Sequence, residues 1–167
     1  LADTFAGRDE IMDMLPSKVS HGGTYAGNRV AAAAATKTLE ILRDTDALAT
    51  IHATGERIQA GLRQLLDAKG LAYNITGHPS MFGIMFTETV ASEYRDWANT
   101  DHELYDAIAV GMHARGAMPE PDSREPWFIC EAHAKGDTVD KVVTIFGQSL
   151  DAALEARARG ELSSTAH

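Results

Sequence analysis

The chain has 167 residues, 44% of them hydrophobic and 23% charged, with 15 basic against 24 acidic side chains and a formal charge of −9. So many core-forming residues exclude a disordered chain, and the acidic balance argues against nucleic acid, whose binders carry a basic patch or stripe, and against an anionic membrane surface. One globular domain, with or without a second short lobe, is the expectation.

The opening Leu1 to Ala6 reads as a short strand ending at Gly7, and Arg8 starts a brief amphipathic helix that Pro16 stops after Leu15. A loop follows to Asn28, with Gly22, Gly23 and Gly27 inside six positions. From Arg29 the pattern turns helical through Val30, Ala34, Ile41 and Leu42, and five consecutive alanines, Ala31 to Ala35, favour it. A break is expected near Asp44-Thr45-Asp46. The stripe then resumes as Leu48, Ile51, Gly55, Ile58, Leu62 and Leu65, whose steps of three and four share one helical face, and Gly70 serves as C-cap. Next, Tyr73–Thr76 and Met81–Phe86 read as strands around the turn signal Gly77-His78-Pro79-Ser80. A polar connection leads to a helix from Asp101 to Gly116 carrying Leu104, Ile108, Ala109 and Met112. Pro119 to Pro126 is too proline-rich for helix or central strand. Trp127–Cys130 reads as a strand, and Asp137 or Thr138 caps a last helix with Val139, Val143, Phe146, Leu150 and Leu154 inward. The order predicts an α+β lobe, helices covering one face of a small sheet.

Cys130 is the single cysteine, so no internal disulfide forms and no oxidising compartment is implied. No apolar run approaches the ~20 residues of a membrane span and no signal-peptide pattern opens the chain, so a cytoplasmic location is expected. Neither a Walker loop nor a G-x-G-x-x-G fingerprint is present. The histidines are scattered; His52 and Glu56 share a helix face, but one such pair arises by chance, and no metal is expected. Cys130 with His133 as base is a conceivable nucleophile, set against a small residue packed in an apolar strand. His21 to Asn28 offers more. Its glycines let backbone N–H groups approach a ligand, Thr24 adds a hydroxyl, and the following helix N-terminus favours an anion such as phosphate. The plainer alternative is a corner at Gly22-Gly23 with Asn28 as helix cap. Asp122 to Trp127 presents an Arg124-Glu125 pair between prolines, read either as a rigid substrate contact or as a solvated surface ion pair.

Gly7-Arg8-Asp9-Glu10-Ile11-Met12, then Gly23-Thr24-Tyr25-Ala26-Gly27-Asn28 with its alanine-rich helix, then Ser123-Arg124-Glu125-Pro126-Trp127-Phe128 and Ala132-His133 ahead of Asp137, resemble the class III, fold-type I aminotransferases. Within them the likeness is to the glutamate-1-semialdehyde 2,1-aminomutase branch and its aminotransferase relatives. The resemblance implies pyridoxal 5'-phosphate as cofactor and a homodimer with shared active sites acting on a small amino or keto acid. Gly23 and Thr24 then bind the cofactor phosphate of the neighbouring subunit. Glu125 falls where the aminomutases place a glutamate near the active site, and Arg124 where some relatives recruit an arginine for a substrate carboxylate. Arg29 departs from the proline that usually follows the Gly-Asn pair, a change the helix entry tolerates. The Schiff-base lysine of the family is expected upstream of Leu1, where the chain starts mid-pattern, so no catalytic residue is expected in these 167. The implied division is 1–28 as the end of the large cofactor-binding domain with its Gly-Thr phosphate loop, 29–69 as long connecting helices, 70–160 as the C-terminal small domain and 161–167 as a frayed tail. The fragment alone is expected to be inactive. A truncated, non-catalytic paralogue acting as an interaction or dimerisation module is the alternative.

Overall fold

The structure is a computed structural model, and it describes residues 23–162. The expected strand Leu1–Ala6, the helix from Arg8 to Leu15, the loop residues His21 and Gly22, and the end of the tail from residue 163 lie outside the described residues. Two compact units divide the chain, Leu1–Asp44 and Thr45–His167.

In the first unit, helix α1 spans Arg29–Asp44. Its start is set by Asn28, whose Oδ1 accepts from the amides of Val30 at 3.0 Å and Ala31 at 3.1 Å, the arrangement of a side-chain N-cap. The alanine run supplies propensity, and Lys37–Glu40 adds a surface pair at 3.2 Å. The helix ends where the acidic break is expected, and α2, Ala47–Ala68, opens the second unit.

That unit is α+β. An antiparallel hairpin of β1 (Asn74–His78) and β2 (Met81–Met85) is joined on the β2 side by β3 (Trp127–Phe128) in the order β1-β2-β3. Helices α3 (His102–Ala114) and α4 (Thr138–Ala158) pack on each other, and α2 packs on α4. Strand alternation decides which side they cover. Phe82, Ile84 and Trp127 point into a core shared with Ile58, Leu62, Leu66, Leu104, Ile108, Met112, Phe146 and Leu150, while Met81 and Phe128, paired across β2 and β3, stand 47% and 66% exposed on the other face. Each fully buried leucine or phenylalanine contributes ~1.5–3 kcal/mol.

Several boundaries differ from expectation. The hairpin turn is only Pro79-Ser80, because Gly77, at φ +100°, and His78 still pair with Phe82 and Met81. On α2 the buried residues are Ala47, Thr54, Gly55, Ile58, Leu62 and Leu66, so Gly55, Ile58 and Leu62 of the expected stripe are buried while Leu48 is exposed and Leu65 only half buried. Leu65 instead lies against α4, where Gly147 leaves room for its side chain. The connection before Asp101 contains a 3-10 helix, Tyr94–Asn99, and Asp101 then caps α3 by accepting from the Leu104 amide at 3.1 Å. β3 stops at Phe128; Cys130 is exposed and begins a second 3-10 helix, Glu131–Ala134, so it does not pack in the core. No helix among the described residues is long and apolar enough to cross a membrane.

One buried polar chain ties the proline-rich segment to this core. Trp127 Nε1 donates to Tyr105 Oη at 2.8 Å, and Tyr105 Oη donates to the carbonyl of Glu120 at 2.7 Å. Burial pushes the Tyr105 phenol up to about 12. A raised phenol contributes stability that is complete below its unfolded value of ~10 and is lost as pH rises through the folded one. Tyr105→Phe leaves the buried indole N–H unpaired and is expected to cost ~1–3 kcal/mol in urea unfolding. The variant should also show a flatter loss of stability between about pH 10 and 12 than the parent; an unchanged midpoint and slope would refute both.

Candidate functional site

Gly23 at φ +143° and Gly27 at φ +77° adopt backbone conformations that side-chain-bearing residues rarely enter, and open space surrounds both. They bracket two consecutive turns, closed by Ala26 N–H to Gly23 O and Asn28 N–H to Tyr25 O, each at 3.0 Å. The exposed Thr24 sits at the first of these turns. Its amide and those of Tyr25 and Gly27 have no acceptor among the described residues. A hydroxyl and N–H groups without a partner among the described residues thus lie just ahead of the N-terminus of a sixteen-residue helix, where the local field favours an anion. Capping by Asn28 and anion binding are compatible, since the cap occupies the amides of Val30 and Ala31 and leaves those of the loop. A phosphate fits this donor set.

The second candidate region lies in the other unit, on the 3-10 helix and the Pro119–Pro126 segment. Asp96 pins the start of the 3-10 helix by accepting from the Ser92 amide at 2.8 Å and the Glu93 amide at 3.0 Å, contacts that lower its own pKa. Trp97, on this helix, meets two partners. Its ring stacks on His102 with centroids 3.8 Å apart, and the Arg124 guanidinium carbon lies 4.7 Å from the indole centroid, a cation–π contact. Trp97 Nε1 donates to the buried Ser123 Oγ at 2.8 Å, which anchors the proline-rich segment.

Arg124 is held by Asp122. The Asp122 Oδ1 accepts from the Arg124 amide at 2.9 Å and from its Nε at 2.9 Å, and Oδ2 takes both Nε, at 3.0 Å, and Nη2. Nη1 reaches Tyr94 Oη at 3.3 Å. The guanidinium keeps the Asp122 carboxyl well below the usual range, at about 2, and in return Asp122 and then Tyr94 raise the Arg124 pKa. Burial, followed by the charge of Asp122, raises the carboxyl of Asp106. An ion pair between Arg124 and Glu125 was the plain expectation; the partner is Asp122 instead. The Asx turn accounts for this, because a carboxylate bonded to the amide two residues on is already beside that residue's side chain. Glu125 is exposed, its amide bonded to the Asp122 carbonyl at 3.0 Å. A pocket of about 270 Å³ opens beside this cluster, lined by Met85, Ala91, Ser92, Glu93, Tyr94, Trp97 and Arg124.

The other candidates separate. Cys130 and His133 are close in space, but the His133 Nδ1 accepts from the Cys130 backbone amide at 2.9 Å, so this ring nitrogen serves the backbone and not the thiol. His52 pairs with Glu56 at 3.5 Å and meets the His78 ring edge-on at 4.5 Å. No group of three metal-ligating side chains occurs among the described residues. Asp122, Tyr94 and Trp97 escaped the sequence reading as partners of Arg124. The Asp-x-Arg spacing was the one visible signal; the aromatics, about thirty residues upstream, left none.

The family model Aminotransferase class-III matches residues 2–146. Over 152 residues the chain is 34% identical to a glutamate-1-semialdehyde 2,1-aminomutase of Thermus thermophilus, covering 89% of this chain and 36% of that protein. It is similar to the solved PLP internal aldimine form of the Sphingopyxis sp. MTA144 FumI protein, at TM-score 0.67 and 26% identity, over 84% of this chain and 31% of that one. An omega-transaminase from Sphaerobacter thermophilus shares the fold at TM-score 0.62 and 23% identity, over 83% and 31% of the two chains. The chain thus spans about a third of the length of the curated relatives it matches.

Proposed function

This chain belongs to the class-III aminotransferase family, and from that premise we propose that it is the C-terminal portion of a pyridoxal-phosphate-dependent aminotransferase or glutamate-1-semialdehyde-type aminomutase. Pyridoxal phosphate is the cofactor of this family, and when bound it supplies the electron sink for chemistry at the amino-bearing carbon. The lysine that holds it lies, on this reading, outside these 167 residues. What this chain contributes is binding and orientation.

The single observation that carries the reading is the loop from Gly23 to Asn28, whose hydroxyl and amides, without an acceptor among the described residues, precede a long helix N-terminus. Thr24 and the loop amides hold the phosphate of the neighbouring subunit in a homodimer. In the second unit, Glu125 and Arg124 contact the substrate, a small amino or keto acid. The tether of Arg124 to Trp97 and of Ser123 to the same ring gives these contacts a rigid base.

The test compares the whole polypeptide with the isolated chain. The whole protein is expected to retain pyridoxal phosphate through gel filtration, with a protein-bound cofactor absorption band, and to move an amino group; the 167-residue chain alone should do neither. A whole protein that sediments as a dimer yet never takes up the cofactor would overturn this reading in favour of a non-catalytic dimerisation module.

A further inference from the structure

Resting on the assignment of Arg124 to the substrate pocket, we propose that Asp122 is a specificity-determining residue, one that weakens the binding of a substrate carboxylate by compensating the guanidinium beforehand. Five N–H donors radiate from a guanidinium in one plane. Asp122 takes the side edge through Nε and Nη2, Tyr94 Oη stands at Nη1, and the guanidinium carbon lies over the Trp97 ring. The side chain is still 44% exposed and lines the adjacent pocket. A substrate carboxylate arriving there either meets a charge already neutralised or has to displace Asp122. In both cases the internal carboxylate acts as a competitor.

The competition is mild because of its setting. The two side chains are 44% and 34% exposed, and an ion pair so accessible to water has a small net worth. Asp122 therefore discounts an anionic substrate end without forbidding it. The Arg124 guanidinium also holds the Asp122 carboxyl down at about 2, so Asp122 is charged at neutral pH. The site thus favours amino or keto acids that lack a second carboxylate over those that carry one.

The experiment uses the whole holoenzyme and two competitive ligands, glutarate, with two carboxylates, and valerate, with one. In Asp122→Asn the ratio of the glutarate to the valerate dissociation constant is expected to fall about two- to fivefold, the population factor of an exposed pair. Asparagine keeps the Oδ1 that accepts the Arg124 amide, so the turn persists; Asp122→Ser, which retains a turn acceptor, provides a second variant. The fall should vanish in an Arg124→Gln background. A ratio that stays constant or rises in both Asp122 variants overturns the proposal and leaves Asp122 a shaper of the loop, with Arg124 still in the pocket. An Arg124→Gln enzyme that binds both ligands like the parent removes Arg124 from the pocket, and the assignment beneath the proposal falls with it.

Discussion

Gly55→Ala is expected to destabilise the second unit by ~2–4 kcal/mol, a large effect for one methyl group. A Cβ on Gly55 would lie 1.9 Å from the carbonyl oxygen of Pro79 and 2.5 Å from its carbonyl carbon. Those atoms belong to the backbone of the hairpin turn, so no rotamer change relieves the clash. Alanine regains ~0.5–1 kcal/mol of helix propensity over glycine, too little to offset it. At Gly111 the nearest atom is Ser149 Cβ at 3.0 Å, and the same substitution there should cost less. Urea unfolding of both variants checks the ranking; a Gly55→Ala loss below about 1 kcal/mol would sink it. The consequence reaches the candidate site. Ser80, at the turn that Gly55 seats, accepts from the Ile129 amide at 2.9 Å, and this bond aligns the strand that follows Glu125.

Replacing Thr24 with alanine in the whole protein is expected to weaken pyridoxal phosphate binding by about ten- to a hundredfold, the worth of one hydrogen bond to a charged group. Serine restores the hydroxyl and should recover most of the loss. Equilibrium dialysis with cofactor fluorescence measures this directly, without reference to turnover. An alanine variant that holds the cofactor as tightly as the parent would remove Thr24 from the phosphate site. The helix itself is not at stake, because its cap is Asn28.

The two candidate regions differed in how far the sequence exposed them. The Gly23–Asn28 loop is a local object, in which glycine conformations, a cap and a helix start are set by neighbours in the chain, and so its residues were legible. Arg124 was legible as a residue and not as a site. Its ring partner Trp97 and hydroxyl partner Tyr94 sit on a 3-10 helix that the polar sequence Ser92 to Asn99 does not announce by any period, and short 3-10 segments carry little sequence signal. Tyr105 was missed for a related reason. It lies beside Leu104 on α3, and only the approach of Trp127 and of the Glu120 carbonyl turns its hydroxyl from a liability into a bridge.

By itself the sequence determined the α+β class, helices α1 to α4 among the described residues, the hairpin, the break between α1 and α2, and the residues that carry the family likeness. These follow from periodicity, from glycine and proline, and from side chains bonded to nearby backbone, all interactions within a few residues. Tertiary structure decided which row of α2 is buried, where β3 ends, that Cys130 faces solvent, and that Arg124 belongs to Asp122 and Trp97. Those outcomes depend on the packing of elements distant in the chain, whose close approaches, such as Gly55 against the Pro79 carbonyl, leave no trace in any local pattern.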